Sequence, residues 1–110
     1  MPKRDTLGTF EHQILLAVLR LGGESYSVPV VEELEERTGR EVAQAAVFIV
    51  LGRLEKKGLL VSRLDEDAAR ETGRVRRYFK LTPLAIARLK EARRTLARLW
   101  AGLEAVLDEA

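Results

Sequence analysis

The stretch from Leu84 to Leu107, LAIARLKEARRTLARLWAGLEAVL, limits the fold more than any other part of the chain. Thr82-Pro83 stands before it, a helix N-cap followed by a residue whose fixed φ suits the first helical turn. Ala85, Leu89, Ala92, Leu96, Leu99, Leu103 and Val106 then recur at alternating spacings of four and three, the seam of a coiled coil. Ile86, Trp100 and Leu107 run beside the seam and widen the apolar face. The pattern predicts one unbroken helix over 84–107, about 36 Å long. With 110 residues in all, the chain is one domain, and what precedes this helix is too small to cover it. A second copy of the chain is the simplest cover. The alternative is that the helix only folds back on its own domain.

Three shorter helices are predicted upstream. Phe10, Ile14, Ala17, Val18 and Leu21 have helical spacing, and Gly22-Gly23 stops the first helix. In the second, Ser27 is a candidate cap, Pro29 falls in the first turn, Val30, Val31 and Leu34 carry the pattern, and Gly39 ends it. The third runs from about Ala43 to Lys57, with Val47, Val50, Leu51 and Leu54 on its inner stripe. Gln44, Phe48, Ile49 and Gly52 face away from that stripe, and Gly58 ends the helix. Short connections and an apolar third helix make a helix-turn-helix pattern.

Two extended runs follow, LLVSRLD and RRYFKL, on either side of the polar stretch EDAARETGRV. Alternating side chains in both, with turn-like composition between them, predict a β-hairpin around a charged loop. The fold class is therefore mainly α with a small β-hairpin, a winged helix-turn-helix over residues 1–81 and a long C-terminal dimerisation helix over 82–110.

The inventory excludes most chemistry. There is no Cys and a single His, His12, so neither a disulfide framework nor the usual zinc sets can be built. No Ser-His-acid set and no Gly-rich phosphate loop is present, so no enzyme is expected and no cofactor or metal is called for. The acidic run Glu32, Glu33, Glu35 and Glu36 reads as a solvated helix face. The opening MPKRDTLGTFEH lacks the apolar core of a secretory signal, and no apolar run is long enough for a bilayer, so the expected location is the cytoplasm.

Net charge is only +2, but its distribution is uneven. Residues 1–58 carry net −1, residues 59–81 net +2 and residues 82–110 net +1. Arg74, Arg76, Arg77 and Lys80 fall within seven residues with no acid among them, and Arg63 sits on the other wing strand. Duplex DNA presents about one negative charge per 1.7 Å of axis, which makes such a cluster a natural phosphate clamp. The plain alternative is an edge strand charged to block aggregation.

The segments LGTFEHQILLAVLRLGGESYSVPVVEELEERTGREV, AAVFIVLGRLEKKGLL and GRVRRYFKLTPLA, in this order, resemble the PadR family of bacterial winged-helix transcriptional regulators. The likeness runs from about residue 7 to 107; its specific parts are RLEKKGLL and GRVRRYFKLTP at their mutual separation. The resemblance implies a homodimer that binds operator DNA, usually as a repressor. The third helix would enter the major groove, the wing would flank it, and the C-terminal helix would make the dimer. The DNA-contacting residues are then expected to be Gln44, Ala45, Phe48, Gly52, Arg53 and Lys56 with Arg63, Arg74, Arg76, Arg77 and Lys80. The dimer interface is expected at Leu89, Ala92, Leu96, Leu99, Trp100, Leu103 and Val106.

Some positions depart from the family's pattern. Tyr is frequent where Phe48 stands, and Phe48 has no hydroxyl to reach a phosphate. The third helix has few hydrogen-bonding side chains; Gln44 could read adenine bidentately, and DNA shape would carry much of the rest. Some members bind flat aromatic ligands between tryptophans, and Trp100 resembles such a residue, with plain packing in the dimer core as the alternative. A competing reading of the whole chain is a winged-helix protein-interaction module without specific DNA reading, which the apolar Phe48-Ile49 pair favours.

Overall fold

The computed structural model describes residues 7–109, apart from the side chains of Ala68 and Ala69. Residues 1–6, part of the stretch read as lacking a signal's apolar core, lie outside them. The elements in chain order are α1 (Thr9–Arg20), β1 (Glu24–Ser25), α2 (Ser27–Thr38), α3 (Gln44–Lys56), β2 (Leu60–Asp65), α4 (Glu66–Thr72), β3 (Arg76–Leu81), α5 (Pro83–Trp100) and α6 (Glu104–Asp108).

The helices start and stop for local reasons. Gly8 caps α1, and its N–H donates to Glu11 Oε1 at 3.0 Å, half of the reciprocal pair that a side-chain cap would complete. Ser27 is the first residue of α2, not its cap; that position falls to Tyr26. Thr82 caps α5 as the sequence predicts, accepting the Ala85 N–H at 3.2 Å. Its own hydroxyl donates to the Gly58 carbonyl at 2.8 Å, which ties the start of α5 to the end of α3.

Three helices and a sheet share one core. Ile14, Leu15 and Val18 of α1 meet Val30 and Leu34 of α2 and the α3 stripe Val47, Val50, Leu51 and Leu54. Leu60 and Phe79 of the sheet and Ala85 and Leu89 of α5 close it. The sheet has three antiparallel strands in the order β1-β3-β2, one more than the expected hairpin. Leu60 pairs with Leu81 and Asp65 with Arg76 across the wing, while Glu24 and Ser25 pair with Lys80 and Phe79 on the other side of β3. A two-residue strand is too short to leave a periodic signal, and its pairing is set by the fold around it.

Two expectations need correction. The polar stretch between the wing strands holds a helical segment, α4, where a charged loop is expected. Asp65 Oδ1 accepts the Asp67 N–H at 3.1 Å at its start, and Glu66 and Asp67 favour the positive end of the helix. The C-terminal helix is also broken. It ends at Trp100, Gly102 takes φ +83°, and the chain resumes as the five-residue α6. The continuous part is thus about 27 Å long. Beyond Leu89 this arm carries no buried residue: Leu96, Leu99, Trp100, Leu103 and Val106 are all exposed in the single chain. Among the described residues no helix is long and apolar enough to cross a membrane.

Candidate nucleic-acid interface

The third helix divides cleanly into two sides. Burying Val47, Val50, Leu51 and Leu54 leaves Gln44, Ala45, Phe48, Ile49, Arg53 and Lys56 on the outer arc. Gly52 lies near the middle of that arc, and a Cβ built there would meet nothing within 4 Å. Glycine inside a helix costs about 1 kcal/mol relative to alanine. Nothing within the chain requires that cost at position 52, since the space above it is open.

The outer arc is anchored at both ends. Gln44 Nε2 lies 3.4 Å from Ser27 Oγ and donates to it, so the glutamine is tethered to the start of α2. At the other end Lys57 donates to Glu11 Oε2 at 2.8 Å. Burial pushes the Glu11 carboxyl up, but the Lys57 and Gly8 hydrogen bonds and the fields of Lys57 and Arg53 outweigh it and hold the group below its ordinary value. Phe48 stands edge-on to Phe79 with ring centroids 6.3 Å apart, joining α3 to the sheet.

The pleat sorts the wing cations onto two faces. Arg77 shares the α3-facing side with Ser62 and Phe79, and its Nη1 donates to Ser62 Oγ at 3.0 Å. Ser62 is itself held, through both its N–H and its hydroxyl, by Glu55 Oε2 of α3. Arg63, Arg76 and Lys80 occupy the opposite face. There Arg63 sits 4.7 Å over the Tyr78 ring, Tyr78 meets Tyr26 at 5.3 Å, and Arg76 sits 4.7 Å over Tyr26. The four side chains form one stack across the wing, two tyrosine rings in contact with each other and an arginine over each outer side.

Arg63 is also paired with Glu24, at 3.0 and 3.2 Å through two of its nitrogens. The bond to Arg63 holds the Glu24 carboxyl below its usual range, and the same bond raises the guanidinium. Arg74 lies in the exposed turn ahead of β3, where its N–H donates to Thr72 Oγ1 at 3.2 Å. Sequence reading misses Glu24, Tyr26, Glu55 and Ser62. Glu24 lies 39 positions from Arg63, and Glu55 and Ser62 lie on different elements, α3 and β2, so no periodicity along one helix or strand reveals either pair.

The expected dimer residues separate as well. Leu89 is 7% exposed and belongs to the core of the single chain. Ala92 is half-buried, and Leu96, Leu99 and Trp100 are exposed along the rest of α5. Leu103 and Val106 lie past the break. Trp100 closes α5 and is 42% exposed.

Solved structures share this architecture. A PadR family transcriptional regulator from Eggerthella lenta is 23% identical, over 88% of this chain and 82% of that one, with a TM-score of 0.67. RosR of H. salinarum is 21% identical over 96% and 94%, with a TM-score of 0.71. F93 from STIV, a winged-helix DNA-binding protein, is 12% identical over 86% and 95%, with a TM-score of 0.68. At these identities the likeness is one of fold. No curated protein matches the sequence. The model of the transcriptional regulator PadR-like family matches residues 15–91, from the middle of α1 into α5. With most of its length matched, and with a winged helix-turn-helix in place, the chain belongs to the PadR-like family of transcriptional regulators, which are not enzymes.

Proposed function

We propose that the chain is a cytoplasmic repressor that binds operator DNA as a homodimer. The observation that carries this reading is the outer arc of α3. It places a glycine without an internal packing role at its centre, Ala45 beside it, and Gln44, Arg53 and Lys56 around them. Small residues at the centre let a helix approach a groove wall closely, and the flanking polar groups suit base edges and phosphates. Arg74, Arg76, Arg77 and Lys80 supply the phosphate contacts of the wing. Arg63, held by Glu24 and Tyr78, acts first as a support for Tyr78 and only then as a phosphate ligand.

Two copies paired through α5 would set their α3 helices about 34–36 Å apart, one turn of a two-fold related site. A flat aromatic effector stacked on Trp100 would release DNA by favouring a different spacing of the two heads. The exposed pair Phe48 and Ile49, at 50% and 61%, favours a second reading, a protein-docking module. Fluorescence anisotropy on labelled DNA from upstream of the chain's own gene, titrated with salt, separates the two. The repressor reading expects tight binding with a clear margin over scrambled DNA and a steep decline with salt. Absence of binding even at low salt overturns it in favour of the docking module.

A further inference from the structure

The outermost side chains of α3 are mostly not its polar ones. At about 100° per residue, the line opposite the buried stripe runs through Ala45, Ile49, Gly52 and Lys56. Ala45 and Ile49 are exposed, Ile49 by 61%, and the space over Gly52 is open. From Ala45 to Gly52 the line is about 10 Å long, roughly three base steps of a duplex. No side chain at Ala45, Ile49 or Gly52 can donate or accept a hydrogen bond. Gln44, at the edge of the arc, already donates to Ser27.

This apolar line has cationic borders. Arg53 and Lys56 stand on α3 itself, and Arg77 on the α3-facing side of the wing. The sole carboxylate of α3, Glu55, is engaged by Ser62. An apolar strip edged by cations suits the floor of a groove whose walls are phosphates.

We infer that α3 reads thymine 5-methyl groups in the major groove, with Ile49 as the main reader and Ala45 beside it. The inference rests on the DNA-binding reading above and adds the base that is read. The thymine methyl is the apolar group that base edges present in the major groove. Guanine O6 and N7 and the cytosine amino group would lose water against a branched alkyl side chain and gain no partner in return. The same side chain against a methyl takes apolar surface of both out of water. Ile49 thus favours T·A pairs and disfavours G·C pairs at the steps it covers. Phe48 stands to the side of the line, edge-on to Phe79, which leaves the central position to Ile49.

Removing the methyl from the DNA tests this. Duplexes are selected by the protein from a random-sequence pool. The best binder is then made again with deoxyuridine in place of thymine, which keeps every hydrogen-bonding group of the bases. Burial of one methyl is worth about fourfold in affinity, so with two or more methyls covered the deoxyuridine duplex should bind roughly tenfold more weakly or worse. Ile49→Ala should bind the two duplexes within about threefold of each other, while Ile49→Val keeps most of the difference. Arg77→Ala should weaken both alike and leave their ratio unchanged. Ile49 is exposed, so these variants should fold. Equal affinity of the parent protein for both duplexes overturns the inference and leaves DNA binding standing. A difference that persists undiminished in Ile49→Ala also overturns it, since the methyl then acts through duplex shape. A pool from which no sequence is enriched removes specific DNA reading itself, in favour of a protein partner on Phe48 and Ile49.

Discussion

The rings of Tyr26 and Tyr78 meet at 5.3 Å with their planes tilted by 57°. Tyr26 caps α2 and Tyr78 lies in the central strand of the wing, so this contact joins the helix-turn-helix to the hairpin directly. Arg63 and Arg76 close the stack from its two ends. The wing is thereby braced on the face away from α3, as Glu55 and Ser62 brace it on the other.

Removing that contact should loosen the wing without unfolding the domain. Tyr26→Leu should cost about 1 kcal/mol of stability, the usual worth of an aromatic pair beyond its buried area. Amide exchange in β3 should accelerate more than exchange in α1. Equal acceleration throughout would show that the stack stabilises the whole domain and does not brace the wing.

Gly52→Ala gives a test with opposite signs. Alanine should stabilise α3 by about 1 kcal/mol, since the added methyl meets nothing within 4 Å. On DNA the same methyl should collide with the groove wall and weaken binding at least tenfold. Thermal melts and anisotropy titrations on one protein sample read both numbers. A variant that is more stable and binds equally well would remove the close approach of α3 from the mechanism.

Arg76→Ala with Arg77→Ala should lower affinity for all DNA sequences alike and flatten the salt slope by about 1 for each phosphate left without its cation. The two arginines lie on opposite faces of the wing. If only one reaches a phosphate, the single variants will differ, and the one with an unchanged slope is the structural residue.

The Glu11–Lys57 pair makes stability depend on acid. The folded Glu11 carboxyl titrates below its ordinary value, so its contribution is complete above about pH 4.5 and is lost as pH falls through the lowered folded value. Glu11→Gln keeps an acceptor for the Gly8 N–H but removes the charge. It should cost about 1 kcal/mol at pH 7. The deficit relative to the parent protein should shrink on acidification, as denaturant melts between pH 3 and 7 will show. A deficit that stays constant over this range would mean that the charge on Glu11 contributes nothing.

Aspartate at both Leu96 and Leu99 should give monomers, because both leucines are exposed in the single chain on the outer part of α5. Dimers that survive, seen by light scattering, would place the interface elsewhere.

Local signals were the readable ones. Thr82-Pro83 acts within one turn of helix, and the α3 stripe repeats at helical spacing, so both could be seen in the residues alone. The wing strands were legible for the same reason, by their period of two. The Glu24–Arg63 pair and the Arg–Tyr stack join segments distant in sequence and become visible only once β1 lies against β3. The α6 break was hidden by competition between two signals. The heptad pattern continues across Gly102, and a single glycine weakens a helix by only about 1 kcal/mol. Near the end of an arm with no buried residues, that small cost is enough to interrupt the helix. Seven residues of mixed charge with two alanines at their centre could equally be a loop or one helical turn and more; Asp65 decides for the helix.

The break leaves Trp100 at the last position of α5, one residue before the chain changes direction. It is the sole tryptophan of the protein and is 42% exposed in the single chain. Intrinsic emission excited at the indole band therefore comes from one known place, the joint between the two helical segments. If that joint is removed from water, the emission should shift to shorter wavelength, and DNA contributes no signal there. Any cover that the joint acquires can thus be followed in one cuvette without attaching a dye.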